Sequence, residues 1–167
     1  MKVEKVVGNN ESVIDRDSGN TGTGYSGLVS DKVKKKAKSI VGNSKGIPAA
    51  KKIAKWVAKH IKHEKREGFY QSPATTLKRK KGNCCCQTDL FLQMLDATGV
   101  PKKYTCQYIH VGTAKYGKRH FFARVNGVDV DVDAKKKNCW GHASYKGRTI
   151  YSRNTYPKLP INRKYKK

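Results

Sequence analysis

The sequence KGNCCCQTDLFLQML, residues 81–95, places three consecutive cysteines where a glycine and an asparagine give way to a stretch with helical periodicity. Along a helix, Cys84 shares a face with Phe91, whereas Cys85 falls in line with Asp89 on a more polar side. We therefore expect an amphipathic helix that packs against the rest of the fold, with Cys84 at the N-terminal end of its buried face. Cys85 is expected to point away from that face.

The position of Cys84 has a chemical consequence. A thiol at a helix N-terminus lies at the positive end of the helix dipole, beside backbone N–H groups that have no partner within the helix, and both favour the thiolate. The same N–H groups can stabilise the oxyanion that forms when a carbonyl is attacked. Cys84 is therefore a candidate nucleophile, and the alternative is a packed, unreactive thiol. Cys85 and Cys86 are expected to pack in the core or to support the residues of the site.

A second stretch, HFFARVNGVDVDVDA at residues 120–134, predicts two antiparallel strands. The Asn-Gly dipeptide between them is the strongest short hairpin signal, and it indicates a two-residue type I′ turn at Asn126-Gly127. If Val125 faces Val128 across that turn, every other pair of the hairpin is fixed, because a slip in register would turn each side chain to the opposite face.

In that register His120 lies opposite Asp133 on one face of the hairpin. An imidazole held by a carboxylate is the partner that a cysteine nucleophile needs. We therefore predict a catalytic triad of Cys84, His120 and Asp133, in which Asp133 orients the histidine. Asp131 is the reserve for the carboxylate role. The alternative to a catalytic role is a structural one, in which His120 is an ordinary hydrogen-bonded strand residue and Asp133 is a solvated carboxylate at the strand end.

Composition and apolar spacing predict the organisation of the rest of the chain. Residues 1–30 are rich in small polar residues and glycine and have no periodicity, which predicts a flexible leader or linker. Residues 31–167 then form one catalytic domain. Apolar spacing predicts helices before the cysteines, two of them capped by serine. Residues 103–111 predict a further strand, and residues 139–167 are expected to wrap the sheet as a loop.

The chain carries 37 lysine and arginine residues against 12 aspartate and glutamate residues, a formal net charge of +25. So strong a positive field favours a polyanionic partner, either an acidic cell-wall polymer or nucleic acid. The sequence contains no zinc-finger, helix-turn-helix or RNP-type motif, so nucleic acid is the less favoured of the two. The charge indicates a class of partner and no particular reaction.

Other features of the sequence concern cellular location, disulfide bonds and metal binding. The sequence lacks the apolar segment of a signal peptide and any run of about 18 apolar residues, so we expect cytoplasmic synthesis without a classical signal and no membrane partner. Five cysteines, three of them consecutive, argue against a disulfide framework. Cys139 and His142 are spaced like half a zinc site that no second pair completes. We therefore predict that the protein binds no metal or cofactor, and leave a dependence on divalent ions open. We also expect a monomer.

Two stretches resemble a known family. SPATTLKRKKGNCCCQTDLFLQMLDATGVPKKY at residues 72–104 and the hairpin at residues 120–134 resemble the cysteine helix and the histidine-aspartate hairpin of the transglutaminase-like superfamily. This resemblance covers roughly residues 45–135. The GNCC motif, the Trp140-Gly141 pair and the terminal TYPKLPI are also similar to the pseudomurein endoisopeptidases of methanogenic archaea and their viruses.

The resemblance implies an α+β fold of the papain-like, transglutaminase-like type, in which the nucleophile helix packs against an antiparallel sheet. It implies a cysteine endopeptidase that hydrolyses the Ala–ε-Lys isopeptide bond of pseudomurein through an acyl-enzyme, acting on the cell wall after lysis or release. The oxyanion would be held by the Cys84 backbone N–H and by one side-chain donor. The candidates for that donor are Asn83, Gln87 and Tyr70.

Two other functions fit the same sequence. A transglutaminase or another acyltransferase would use the same triad and pass the acyl group to an amine instead of water. A non-enzymatic basic module that binds nucleic acid would need no reactive thiol, so the reactivity of the cysteines separates it from both enzymes.

Overall fold

The computed structural model describes residues 8–9, 30–65, 71–112, 119–133, 139–142 and 149–155. The helices within these ranges are α1 (Asp31–Val41), α2 (Gly46–His60), α3 (Pro73–Arg79) and α4 (Cys84–Ala97), followed by a 3₁₀ turn at Val100–Lys102. The strands are β1 (Gly8–Asn9), β2 (Lys62–His63), β3 (Lys81–Gly82), β4 (Cys106–Gly112), β5 (Arg119–Val125), β6 (Val128–Val130) and β7 (Thr149–Thr155). All four helices therefore precede the strands β4 to β7.

Serine caps begin two of the helices where the sequence predicts them. The Ser30 hydroxyl accepts a hydrogen bond from the Val33 N–H at the start of α1, and the Ser72 hydroxyl accepts one from the Thr75 N–H at the start of α3. Pro73 occupies the first turn of α3, where its missing N–H removes no helical hydrogen bond. The prediction of these two capped helices is confirmed.

Within the described residues, the main sheet has the strand order β1-β7-β4-β5-β6. Strands β7, β4, β5 and β6 are antiparallel neighbours, and β1, which lies within the predicted leader, pairs in parallel with β7. The expectation of a loop across residues 139–167 is wrong for β7, which pairs with the central strand β4. The sequence of β7, TIYSRNT, has few apolar residues and no hydrophobic pattern that would indicate a strand. Its hydrogen bonds to β4 define it as a strand.

Strands β5 and β6 form the predicted hairpin. Asn126 and Gly127 have positive φ angles of 50° and 78°, as a type I′ turn requires. Val125 pairs with Val128, so the predicted register is confirmed next to the turn. The ladder ends at Val130, however, because the chain beyond that residue bonds to other groups.

Those bonds begin at Asp131. Its N–H donates to the Cys139 carbonyl at 3.1 Å, and its carboxylate accepts the Asp133 N–H at 3.1 Å. An aspartate side chain that accepts a backbone N–H two residues further on forms a local turn. The hairpin ladder therefore does not extend to the predicted pair of His120 and Asp133.

Helix α4 lies at the centre of the core. Residues 85–95 are all buried, because α1, α2, α3 and β5 pack around the helix. The expectation of a polar, outward side is therefore wrong, since Asp89 and Gln93 are buried as completely as Leu90 and Phe91. A central helix has no solvent-facing side on which polar residues could lie.

The contact between α4 and the sheet gives the fold its class. The Thr88 hydroxyl of α4 lies 3.3 Å from the Phe121 carbonyl oxygen of β5. The helix that begins with Cys84 thus packs against an antiparallel sheet, which is the α+β arrangement predicted from the sequence. None of the described helices is long and apolar enough to cross a lipid bilayer.

Candidate active site

Cys84 is the first residue of α4 and is half-buried, whereas the other four cysteines are buried. Asn83 caps the helix, because its side-chain oxygen accepts the Cys86 N–H at 3.0 Å and the Cys85 thiol at 2.9 Å. The Thr88 hydroxyl donates to the Cys84 carbonyl at 2.8 Å. These bonds fix the first turn of the helix, and Cys84, as its first residue, lies at the positive end of the helix dipole.

His120 lies near the start of β5, between a thiol and a carboxylate. Its Nε2 atom is 2.6 Å from Oδ2 of Asp131, and the two side chains are 16% and 1% exposed. Because Nε2 faces the carboxylate, Nδ1 is the ring nitrogen that remains for Cys84, whose Sγ lies within 4.8 Å of the His120 donor atom. The three groups therefore follow the order of a catalytic triad, thiol, imidazole and carboxylate.

The charges around His120 raise its pKa from 6.5 to about 10. Burial lowers this pKa, but the hydrogen bond and negative charge of Asp131, together with the interaction with Cys84, outweigh burial. The raised pKa favours the imidazolium form of His120. A cationic imidazole beside a thiol favours the thiolate, which is the form that attacks a carbonyl.

Asp133 lies close to the same groups but makes different hydrogen bonds. Its Oδ1 accepts a bond from the side-chain amide of Gln87 at 2.5 Å, and its two oxygens lie 3.0 and 2.9 Å from Nδ1 of His63. One of its oxygens lies within 4.8 Å of both Cys84 Sγ and a ring nitrogen of His120. Burial raises the pKa of the Asp133 carboxyl, although His63 acts in the opposite direction.

The structure thus brings Cys84, His120 and Asp133 together, as the sequence predicts. The carboxylate hydrogen-bonded to His120, however, belongs to the reserve residue, Asp131. Asp131 and Asp133 are two residues apart, so in a fully extended strand only one of their carboxylates would lie directly opposite His120. The turn after Val130 places one carboxylate on the imidazole and the other nearby.

The three predicted oxyanion donors have different placements. The side-chain N–H groups of Gln87 have two acceptors, the Gly82 carbonyl at 2.9 Å and the Asp133 carboxylate at 2.5 Å, and the residue is 1% exposed. Gln87 therefore joins the segment before the helix to Asp133. Asn83 directs its side-chain oxygen at the end of α4. Tyr70 lies outside the described residues.

The chain reaches Cys84 through a tightly packed segment. A Cβ on Gly82 would lie 2.9 Å from the Cys86 Cβ and 3.1 Å from Nε2 of Gln71. Gln71 is fully buried and donates to the Lys81 carbonyl at 2.7 Å. Only glycine leaves room for α4 to begin at this distance from the preceding segment.

His63 is the residue of this site that sequence reasoning misses. The sequence indicates a solvent-exposed residue on a lysine-rich helix; the residue is exposed, but it lies in β2 and not on the helix. In the structure, β2 pairs in parallel with β3, which places His63 beside Gly82 and against the carboxylate of Asp133. A two-residue strand has no hydrophobic period that a sequence could display.

The sequence profile of the transglutaminase-like superfamily matches residues 34–149, a range that contains α2 to α4, β2 to β6 and the site. The chain belongs to the transglutaminase-like superfamily. No curated protein sequence matches the chain.

Two solved structures are similar to this transglutaminase-like domain. A candidate cysteine protease from Cytophaga hutchinsonii matches 74% of this chain and 42% of its own length, with 17% sequence identity and a TM-score of 0.51. A candidate protease from Parabacteroides distasonis matches 72% of this chain and 25% of its own length, with 14% identity and a TM-score of 0.52. This chain thus spans less than half the length of either protein. At these identities the similarity establishes the fold, which is transglutaminase-like and papain-like.

The remaining thiols of this transglutaminase-like domain are unsuited to nucleophilic attack. They are 0–3% exposed: Cys85, Cys86, Cys106 and Cys139. Burial, with the nearby charge of Asp96, raises the pKa of Cys106 to about 12, and burial also raises the pKa of Cys139. A buried thiol is inaccessible to a substrate, so Cys84, which is half-buried, remains the candidate nucleophile.

Proposed function

We propose that this protein is a cysteine peptidase that cuts an amide or isopeptide bond through an acyl-enzyme on Cys84. The observation that carries the proposal is the series of contacts from Asp131 through His120 to Cys84 at the N-terminus of α4. Membership of the superfamily and the two structural neighbours named as candidate proteases support it.

Acylation starts from a thiolate and an imidazolium. The Cys84 sulfur attacks the carbonyl carbon, and the displaced electron pair moves to the carbonyl oxygen, which the Cys84 backbone N–H stabilises. As the tetrahedral intermediate collapses, the C–N bond breaks, and His120 gives its Nδ1 proton to the departing amine. The products are the free amine and a thioester on Cys84.

Deacylation reverses the proton transfers. The neutral His120 takes a proton from water at Nδ1, and the resulting hydroxide attacks the thioester carbonyl. Collapse of the second intermediate releases a carboxylic acid and restores the thiolate and the imidazolium. Asp131 accepts the Nε2 hydrogen bond throughout the cycle. In this mechanism Asp131, and not Asp133 as predicted from the sequence, therefore orients His120. The mechanism uses no cofactor.

We propose Asn83 as the side-chain donor to the oxyanion. It directly precedes Cys84 in the chain, and because its amide oxygen accepts the Cys86 N–H, the NH₂ group of the same side chain would be the donor. Gln87 would have to break a buried hydrogen bond in order to reach a substrate.

The proposed substrate is pseudomurein, cut at the Ala–ε-Lys isopeptide bond. The likeness of the GNCC motif and of Trp140-Gly141 to the pseudomurein endoisopeptidases supports this choice. The net charge of +25 supports it as well, since the pseudomurein that the resemblance implies carries uronic acid and glutamate carboxylates. We propose that the protein is made in the cytoplasm and reaches the wall after lysis or release.

Purified protein incubated with pseudomurein sacculi and with murein sacculi tests the proposal. We expect turbidity to fall and amines to be released from pseudomurein, and neither to occur with Cys84→Ala. Cleavage of murein alone would contradict the substrate, and failure to cleave either wall or a peptide amide would contradict the reaction. A glutamine donor supplied with a primary amine forms an isopeptide-linked product only if an amine replaces water as the acceptor.

Binding to the wall is measured separately from cleavage. Cys84→Ala protein should sediment with pseudomurein and should be released as NaCl rises, because exposed charges are screened within about 8 Å at physiological ionic strength. Retention that does not depend on salt would mean that the shape of the binding surface, and not its charge, holds the polymer.

A further inference from the structure

Three potential metal ligands converge where the proposed nucleophile lies. One donor atom from each of Cys84, His120 and Asp133 lies within 4.8 Å of the other two. The set contains a sulfur, an imidazole nitrogen and a carboxylate oxygen, the three donors that zinc takes in proteins. Zinc–ligand bonds of 2.0–2.3 Å place the ligand atoms of a tetrahedral site about 3.5 Å from one another. Side-chain movements of about an ångström would therefore bring the three donor atoms into bonding distance of one ion.

The surrounding hydrogen bonds already orient these ligands. The Nε2 atom of His120 lies 2.6 Å from the Asp131 carboxylate, which leaves Nδ1 directed towards a metal and gives the carboxylate–histidine pairing usual in zinc sites. The carboxylate of Asp133 is held by Gln87 and His63. Each oxygen or nitrogen ligand thus has a buried partner, Asp131 for His120 and Gln87 for Asp133, that fixes its direction.

We propose that Cys84 Sγ, His120 Nδ1 and an Asp133 oxygen bind one Zn²⁺ reversibly, with water in the fourth position, and that the ion blocks the nucleophile. The binding step rests on geometry alone, and the block rests on the proposed peptidase function. The Cys84 thiolate gives an electron pair to the ion, and the ion replaces the Nδ1 proton of His120, which passes to solvent. No oxidation or reduction takes place. A thiolate and an imidazole select Zn²⁺ over Ca²⁺ and Mg²⁺, which prefer oxygen ligands.

Calorimetric titration of the reduced protein with ZnCl₂ tests the binding step directly. We expect one site in the wild type, a loss of affinity of more than 100-fold in Cys84→Ala and in Asp133→Asn, and 10–100-fold weaker binding in Asp131→Asn, which removes the charge that supports His120. Cys85→Ala is the matched control, because it removes the neighbouring thiol and should retain the wild-type affinity. Equal affinity in the wild type and Asp133→Asn would overturn the proposal.

Protection of the thiol gives a second test that needs no variant. Stoichiometric Zn²⁺ should slow alkylation of Cys84 by iodoacetamide at least tenfold, and EDTA should restore the rate, while CaCl₂ and MgCl₂ should have no effect. Unchanged alkylation in the presence of bound zinc would place the ion elsewhere and refute the site. Because calorimetry and alkylation do not depend on turnover, zinc binding to an inactive protein would count against the peptidase function alone, and an active protein that binds no zinc would count against the zinc site alone.

Discussion

Asp131→Asn removes one charge from the contact that orients His120 while keeping the shape of the side chain. Asp131 uses both of its oxygens, since Oδ1 accepts the Asp133 N–H at 3.1 Å and Oδ2 lies 2.6 Å from Nε2 of His120. In the variant the amide oxygen keeps the bond from the Asp133 N–H, because an NH₂ group cannot accept it. The NH₂ group therefore faces Nε2, which must become an acceptor. The ring proton then moves to Nδ1, the nitrogen that faces Cys84.

A neutral His120 with its proton on Nδ1 cannot take a proton from Cys84. The same substitution in a serine triad lowers kcat by about 10⁴-fold for this reason, which corresponds to about 5 kcal/mol in the barrier. We expect a loss of that order in kcat/KM for amide cleavage by Asp131→Asn. Binding to wall material should change little, since the charge lost is small beside the net charge of +25.

Stability gives a second measure of the same contact. The rise in the pKa of His120 from 6.5 to about 10 corresponds to roughly 5 kcal/mol in favour of the imidazolium in the folded state. Because the folded-state pKa is the higher one, this stabilisation is fully present below pH 6.5 and is lost as the pH rises through 10. The free energy of unfolding of the wild type should fall across that window by up to this amount, and that of Asp131→Asn should fall much less.

The assay is kcat/KM from amine release, with urea unfolding at pH 6.5 and pH 10. Asp129→Asn is the charge control, because Asp129 belongs to the same hairpin, and its carboxylate accepts a hydrogen bond from Nε of Arg124 at 2.7 Å. Its kcat/KM should stay close to that of the wild type, because the substitution leaves the hydrogen bond between Asp131 and His120 in place. Asp133→Asn leaves the bond between His120 and Asp131 intact and should be less damaging than Asp131→Asn. If Asp133→Asn were the more damaging, Asp133 would be the orienting carboxylate and this reasoning would be refuted.

Three further predictions concern the helix that carries the nucleophile. Iodoacetamide at pH 7 should label Cys84 at least 100-fold faster than Cys106, whose pKa is raised to about 12 in its buried site, and peptide mass mapping would show uniform labelling if the assignment of the reactive thiol is incorrect. Gly82→Ala should lower the free energy of unfolding by about 1–3 kcal/mol, because its Cβ would lie 2.9 Å from the Cys86 Cβ; an unchanged melting temperature would contradict this packing. Asn83→Ala should lose about 1 kcal/mol of stability with the helix cap, whereas Asn83→Asp should keep the cap. If Asn83 also donates to the oxyanion, both variants should lose about 10²–10³-fold in kcat, and a fully active Asn83→Asp would remove it from that role.

The sequence predicts those parts of the fold that have strong local signals. The serine caps and the turn at Asn126-Gly127 each depend on a few adjacent residues, and each is found where predicted. Strand β7 and His63 could not be predicted in this way, because each acquires its conformation from a partner distant in sequence. The burial of Asp89 follows from the packing of three helices and a strand around α4, which no helical period within α4 reveals.

The two aspartates of the hairpin show how a correct register can still assign the wrong contact. The pairing of Val125 with Val128 is as predicted, and extrapolation along an unbroken ladder leads to Asp133 opposite His120. The extrapolation assumes that the strand continues, but the strand ends at Val130, and the Asp131 carboxylate accepts a backbone N–H as the chain turns. That turn is also what gives the site two carboxylates near one thiol: Asp131 supports the imidazole, and Asp133 lies beside the reacting atoms. A regular strand would have placed one carboxylate on His120 and left no third ligand for a metal ion, so the end of β6 accounts for both the proposed triad and the proposed zinc site.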